Sequence, residues 1–170
     1  MRQGNLIIKN ASQLVTCSAF SAKKGREMSD LQIIEDGTVI ITDGVITYVG
    51  KDADCPVLSD FPNHKIVDAT GKAVLPGFVD SHTHFIFGGY REEEFSWRMR
   101  GDSYMSIMER GGGIHNTMTA TRKATFDELK EAGRKRLDSM LKLGITTVEG
   151  KSGYGMNKET ELKQLEVMKA

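Results

Sequence analysis

In the first part of the chain, short runs of apolar, β-branched residues are separated by polar stretches, a pattern typical of strands and loops. Two of these runs, residues 38–42 and 45–49, lie on either side of Asp43 and Gly44. Asp and Gly tolerate the positive φ angles of a type I′ turn. This arrangement therefore predicts a β-hairpin.

Two further apolar runs in the same part of the chain, residues 6–8 and 66–68, predict short strands. The polar, glycine-containing stretch 21–37 predicts a loop between the first strand and the hairpin. Because the strands are short and separated by polar segments, we expect residues 1–72 to form a small β domain.

From residue 73 onward the pattern changes to alternating strands and helices. Residues 77–82 and the β-branched run 145–149 predict strands, with helical periodicity between them and after them. Strand–helix–strand order implies parallel strands joined by helical crossovers, which is the α/β class. Residues 85–124, which are rich in Arg, Glu and Gly, predict irregular or weakly helical structure.

Capping residues mark the ends of the two predicted helices. Thr125 and Glu128 fit a capping box, and Gly144 is a natural stop for the helix that they begin. Asn157 is a suitable cap for the last helix. The side chains expected to face inward are Leu129, Gly133, Leu137, Met140 and Leu141 on the first helix, and Leu162, Leu165 and Met168 on the second.

Composition narrows the classes of protein to consider. The chain carries 23 basic and 23 acidic residues among 170, so it lacks the basic excess that nucleic-acid binding requires. No apolar run approaches the roughly 18 residues of a membrane span. Cys17 and Cys55 lack a metal-type spacing, which favours a reduced, cytoplasmic protein. We expect no nucleic-acid partner and no membrane partner.

The strand at residues 77–82 leads into the most informative pair of residues, His82 and His84. Residues two apart on a strand share a face, with Cα atoms about 6–7 Å apart, so both imidazoles can reach one metal ion. Spacing alone leaves open a chance surface pair. The apolar run that precedes them favours a metal site, since buried histidines cost stability unless their nitrogens have partners. Imidazole suits both Zn and Fe, and Asp80 on the same face could orient a ligand.

Longer motifs resemble the amidohydrolase superfamily. Residues 75–84, Leu-Pro-Gly-Phe-Val-Asp-Ser-His-Thr-His, resemble the first barrel strand of these enzymes. More specific segments resemble the branch of the superfamily that opens an imidazolone ring; they are residues 87–95, 100–104, 111–114 and 149–155. The resemblance covers the whole chain and is sharpest over residues 73–157.

The resemblance implies a fold and an activity. The fold is α/β, the first part of a TIM-like (β/α)8 metal-dependent hydrolase barrel preceded by a small β-sandwich domain. Residues 1–72 would be the N-terminal part of that composite sandwich, and residues 73–170 the first strands and helices of a truncated barrel. The activity is hydrolysis of 4-imidazolone-5-propanoate to N-formimidoyl-L-glutamate in histidine degradation, by water activated on one Zn or Fe ion. The resemblance is also compatible with a homodimer.

The resemblance also implies roles for individual residues. His82 and His84 match metal ligands, whereas Arg91 and Tyr154 match substrate-binding residues. Arginine binds carboxylates bidentately, which suits the propanoate of the substrate. From the residues alone, Arg91 could instead pair with an acidic residue of the stretch 92–94. Tyr154 could simply be a packing residue with its phenol at the rim of the barrel.

No catalytic residue is assigned within this chain. The resemblance implies a further histidine ligand, an aspartate, a glutamate base and a substrate-binding histidine, all beyond residue 170. We therefore expect the chain to be inactive alone. The alternatives are another cyclic-amide amidohydrolase and a non-catalytic fragment that binds metal weakly or serves as an interaction module.

Several other polar residues are expected to have no role in the chemistry. Lys151 is interpreted as structural or peripheral rather than as a bridging lysine. Residues 111–113 lack the Gly-Lys-Ser/Thr of a P-loop and predict a flexible loop near the pocket. His64 and His115 are expected to be ordinary loop histidines.

Overall fold

The computed structural model describes residues 4–170. The chain divides into two compact units, the first ending at Pro76 and the second comprising Gly77–Ala170. Among the helices of the described residues, none is long and apolar enough to cross a membrane.

The described residues of the first unit form one five-stranded sheet. Its strands are β1 (Leu6–Val15), β2 (Ile33–Thr42), β3 (Val45–Lys51), β4 (Lys65–Asp68) and β5 (Ala73–Val74). β2 pairs antiparallel with β1 and β3, and β4 and β5 pair parallel with β1. The sheet therefore extends past residue 72, where the sequence placed the end of the β domain.

The predicted hairpin is confirmed. β2 and β3 are joined by Asp43 and Gly44, whose φ angles are 51° and 78°. Both angles lie in the left-handed region that a type I′ turn requires. The local turn residues were therefore sufficient to predict this feature.

The extent of β1 and the loop at residues 21–37 were predicted wrongly. Residues 33–37 belong to β2, because their backbone groups pair with β1. A short 3-10 helix, Gly25–Ser29, lies within the same stretch. β1 itself continues to Val15 through a bulge at Asn10, where φ is 59°. Backbone pairing between distant segments outweighed the polar composition.

The second unit contains two strands and five helices among the described residues. They are β6 (Phe78–Thr83), α1 (Glu92–Met99), α2 (Tyr104–Glu109), α3 (Ile114–Lys123), α4 (Phe126–Lys142), β7 (Ile145–Gly150) and α5 (Lys158–Lys169). β6 and β7 pair in parallel and α4 lies between them in the chain. The predicted α/β class is confirmed.

Residues 85–124 are more helical than the sequence indicated. They contain α1, α2 and α3, so helices occupy more of the stretch than the predicted irregular or weakly helical structure, and His115 lies in α3 rather than in a loop. The Ser103 hydroxyl accepts a hydrogen bond from the Ser106 N–H at 3.1 Å and begins α2. Short helices with polar sequences give weak periodicity, which explains the difference.

The predicted ends of α4 and α5 are confirmed. Thr125 and Glu128 form both hydrogen bonds of the capping box. Gly144, with φ of 88°, follows α4. Asn157 accepts a hydrogen bond from the Thr160 N–H at 2.8 Å and caps α5.

The buried faces of the two helices agree only partly with prediction. On α4, Leu129 and Gly133 are buried, whereas Leu141 is 59% exposed. On α5 the prediction was wrong for Leu162 and Leu165, which are 47% and 46% exposed, whereas Met168 is partly buried and packs against the core as predicted. The residues buried on that helix are Thr160, Gln164 and Val167.

Gly133 lies where α4 meets the segment that follows β6. A Cβ atom at this position would lie 2.3 Å from Cδ1 of Ile86, a side chain that is only 2% exposed. In an open helical position, Gly→Ala stabilises a protein by about 1 kcal/mol. Here we expect Gly133→Ala to destabilise the protein by about 1–2 kcal/mol, because overpacking dominates.

Urea unfolding followed by circular dichroism measures this change. Ser139→Ala, on the exposed face of the same helix, is the matched control and should be neutral or slightly stabilising. A Gly133→Ala protein that is more stable than the wild type would show that the helix does not pack closely here.

Candidate functional site

The two predicted metal-binding histidines lie at the carboxyl end of β6. His82 is within the strand and exposed, and His84 follows its last residue and is half-buried. Their ring centroids are 5.3 Å apart, with the ring planes inclined at 62°. The structure therefore brings both imidazoles to the same side of the backbone, as their spacing indicated.

The surroundings of His84 fit a metal ion. Its Nδ1 atom is buried and has no hydrogen-bond partner among the described residues. Buried polar atoms in proteins are nearly always partnered, and a ring nitrogen can satisfy this requirement by binding a metal. Gly153 borders the ring: a Cβ atom there would lie 2.9 Å from Cε1 of His84, and its φ of 143° is one that favours glycine.

Tyr154 lies in the loop that follows β7. Its ring centroid is 5.2 Å from that of His84, and the two planes are inclined at 60°. The centroid of the Phe87 ring lies 5.7 Å from that of Tyr154. The structure thus places this predicted substrate-binding residue against one of the two histidines.

The loop carrying Tyr154 is held in place by two charged side chains. The Glu161 carboxylate, at the start of α5, accepts hydrogen bonds from the N–H groups of Gly155 and Met156, both at 2.7 Å. Nε of Arg122 donates to the Gly155 carbonyl, also at 2.7 Å. Neither residue was predicted from the sequence. An acidic residue in the first turn of a helix was the available signal for Glu161.

The hydrogen bonds of the loop favour the ionised form of Glu161. Burial acts to raise the pKa of this carboxyl, but donors from the Ser152 hydroxyl and from backbone N–H groups of the loop outweigh it. The net result is a pKa below the ordinary value of 4.5. The charge on this carboxylate therefore stabilises the folded loop.

The structure does not bring Arg91 into contact with the histidine and tyrosine rings. Arg91 is exposed and directly precedes α1. Within residues 4–170, the ion pairs include none between Arg91 and the acidic stretch 92–94. Its guanidinium is thus not engaged by the acidic neighbours that the sequence offered as an alternative partner.

Two neighbours of the histidines form local contacts. Asp80 accepts a hydrogen bond from the backbone N–H of His82 at 3.1 Å, so its carboxylate engages the strand backbone. The Lys151 side chain forms an ion pair with Glu149, and the backbone N–H of Lys151 donates to the Thr83 carbonyl at 2.8 Å.

The glycine run at residues 111–113 is bound by a side chain that the sequence analysis did not single out. Glu94 is 5% exposed, and its carboxylate accepts a hydrogen bond from the Gly113 N–H at 2.7 Å. A backbone donor of this run is therefore already paired with a side-chain carboxyl oxygen of the chain itself.

Comparison with known proteins gives a match to one family model over part of the chain. Residues 65–122 match the model of the Amidohydrolase family. Guanine deaminase from E. coli superposes with a TM-score of 0.64 at 16% identity, covering 96% of this chain and 32% of that one. A triazine hydrolase variant gives 0.60 at 19%, covering 98% and 33%. At these identities the likeness shows the fold alone, an α/β fold with amidohydrolase-like neighbours.

The matches to curated relatives are more specific than the family and structural matches. Imidazolonepropionase from Clostridium tetani is 58% identical over 168 residues, covering 99% of this chain and 40% of the relative. The enzyme of that name from Parabacteroides distasonis is 60% identical with the same coverage. The resemblance inferred from the motifs is therefore confirmed. This chain spans about 40% of the length of the curated relatives that it matches.

We expect Glu161→Gln to loosen the Tyr154 loop, because the substitution replaces charge-assisted hydrogen bonds with weaker neutral ones. The site is partly solvated, so the free energy of unfolding should fall by only about 1 kcal/mol near neutral pH. Because the pKa of Glu161 is lower in the folded protein than its ordinary value of 4.5, its charge stabilises the folded state above about pH 4.5. This stabilisation disappears as the pH falls through the lowered pKa. The difference between wild type and variant should therefore vanish in acid.

Urea unfolding in a series from about pH 7 to about pH 3 tests this dependence. Glu159→Gln, an exposed acid in the same first turn, removes the same helix-dipole interaction without touching the loop. An equal effect of both substitutions would contradict the assigned role of Glu161.

Proposed function

We propose that this chain carries two metal ligands and a substrate-binding tyrosine of an imidazolonepropionase. The whole enzyme would hydrolyse 4-imidazolone-5-propanoate to N-formimidoyl-L-glutamate in histidine degradation. The observation that carries the proposal is the cluster of His82, His84 and Tyr154 at the ends of two parallel strands. The 58–60% identity to enzymes of that name supports the choice of substrate.

In this proposal His82 and His84 would hold one Zn or Fe ion through ring nitrogens, since imidazole suits both metals. When bound, the ion would act as a Lewis acid and make water nucleophilic near neutral pH. Catalytic zinc usually has three protein ligands. The described residues contain no cluster of three or more candidate ligands, so the proposal requires further ligands from outside them.

Tyr154 and Arg91 would bind the substrate. The Tyr154 ring packs on His84, so its phenol is suited to hold the imidazolone ring beside the histidine pair. Arg91 would form a bidentate pair with the propanoate carboxylate, a contact for which its exposed guanidinium is available. Together they would orient the ring for attack by water.

We further propose that β6 and β7 are the first two strands of a (β/α)8 barrel, and that the five-stranded sheet is part of a composite β-sandwich. Active sites of such barrels lie at the carboxyl ends of the strands. His84 directly follows β6 and Tyr154 follows β7, which supports this assignment. A cytoplasmic location and a homodimer are further parts of the proposal, and the balanced charge of the chain is compatible with both.

A chimera tests the activity. This chain would replace the matching 168 residues of the Clostridium tetani relative, so that the remainder of that protein is present. We expect the chimera to bind about one Zn or Fe per chain and to consume 4-imidazolone-5-propanoate, followed by ultraviolet absorbance. His84→Asn should abolish both properties, because one ligand is lost.

His115→Asn, an exposed histidine in α3, is the matched control and should leave metal content and activity unchanged. A chimera that binds metal but hydrolyses other cyclic amides in preference would favour the broader amidohydrolase alternative. A folded chimera without metal would refute the assignment of the two histidines.

The role of Arg91 gives a separate prediction. Losing a charge-assisted hydrogen bond costs about 1.5–3 kcal/mol, so Arg91→Ala should lower kcat/KM about 10- to 100-fold, mainly through KM. An imidazolone without the propanoate arm should be hydrolysed equally well by both proteins. Arg134→Ala, on the exposed face of α4, is the control. An unchanged KM for the natural substrate would exclude a carboxylate clamp.

A further inference from the structure

Residues 85–87 leave the end of β6 without joining another strand or helix, and their carbonyl oxygens therefore need partners from elsewhere. Two side chains provide them. Nη1 of Arg136, on α4, donates to the carbonyls of Phe85 and Phe87, both at 2.9 Å. Nε2 of Gln164, on α5, donates to the Ile86 carbonyl at 2.6 Å. Three successive carbonyls directly after His84 are thus bound by side chains of two helices.

Arg136 also contacts the aromatic rings of this segment. Its guanidinium carbon is 3.5 Å from the centroid of the Phe87 ring and 5.1 Å from that of Tyr90. Cations within about 6 Å of a ring centroid interact favourably with the ring face. One side chain therefore fixes both the backbone and the ring of Phe87.

The Phe87 ring leads directly to the candidate site. It packs edge-on against Tyr154 at 5.7 Å, Tyr154 packs against His84 at 5.2 Å, and His84 packs against His82 at 5.3 Å. Each ring limits the orientations available to the next, because edge-to-face pairs prefer defined geometries. A change in the position of Phe87 must therefore be accommodated by Tyr154.

We propose that Arg136 is a positioning residue for this site: by fixing residues 85–87 it sets the orientation of the Tyr154 ring beside His84. The importance of this orientation for substrate binding rests on the function proposed above. A lysine ammonium has donors enough for the two carbonyls that Nη1 binds, but it has no planar guanidinium to stack on the Phe87 ring, so Arg136→Lys removes the contact with that ring. A purely structural role would lower stability and leave the Tyr154 ring unchanged.

Fluorine NMR of the chain labelled with fluorotyrosine tests the proposal. The chain contains four tyrosines, and Tyr154→Phe identifies the resonance of interest. Arg136→Lys should shift the Tyr154 resonance by more than its linewidth. Arg134→Lys, the same substitution two residues away on the exposed face of α4, should not. An unmoved Tyr154 resonance in folded Arg136→Lys protein would overturn the proposal.

If Arg136→Lys does not fold, as judged by circular dichroism, Phe87→Leu decides the question. That substitution removes the ring between Arg136 and Tyr154 but retains the backbone carbonyls that Arg136 binds. A shifted Tyr154 resonance in folded Phe87→Leu protein supports the proposal, and an unchanged resonance overturns it.

Kinetics of the chimera give an independent readout. Misplacing a substrate-binding group can cost up to about 100-fold, and we expect Arg136→Lys to raise KM more than it lowers kcat. An unchanged KM in an active chimera would overturn the proposal. An inactive wild-type chimera would count against the proposed function instead, and the NMR result would still decide the role of Arg136.

Discussion

The geometry of the candidate site depends on how the chain leaves β6. Directly after His84, three carbonyl groups enter the interior without a strand or helix to pair with them, and Arg136 and Gln164 donate the hydrogen bonds that make their burial tolerable. Both side chains come from helices that pack close to this segment. The hydrogen bonds that allow these carbonyls to be buried therefore also fix the end of β6 that carries the histidines.

The second constraint is the parallel arrangement of β6 and β7. Parallel strands joined by a helix present their carboxyl ends at the same edge, so the segment after β6 meets the loop after β7. This brings Tyr154 to His84 although the two are distant in sequence. Glu161 then holds the second loop by accepting hydrogen bonds from its backbone, much as Arg136 and Gln164 hold the first.

Features determined by neighbouring residues were predicted well. The hairpin depends on two turn residues, Asp43 and Gly44, and the start of α4 depends on the capping box at Thr125. Leu162 and Leu165 were wrongly predicted to face inward on α5, because hydrophobicity alone favoured them. The residue buried there is Gln164, which donates a hydrogen bond to a carbonyl 78 residues earlier. Residues 33–37 were missed as a strand for a similar reason, since their partner strand lies outside their own segment.

The sequence by itself determined the spacing of His82 and His84, the order β6, α4, β7 and α5, and the motifs that resemble imidazolonepropionase, because each depends on residues close together in the chain. Only the tertiary structure decided that Tyr154 packs on His84 and that Arg136 and Glu161 hold the two loops. These contacts join segments tens of residues apart, and their formation depends on the path of the backbone between them, which residue spacing along one strand or helix does not specify.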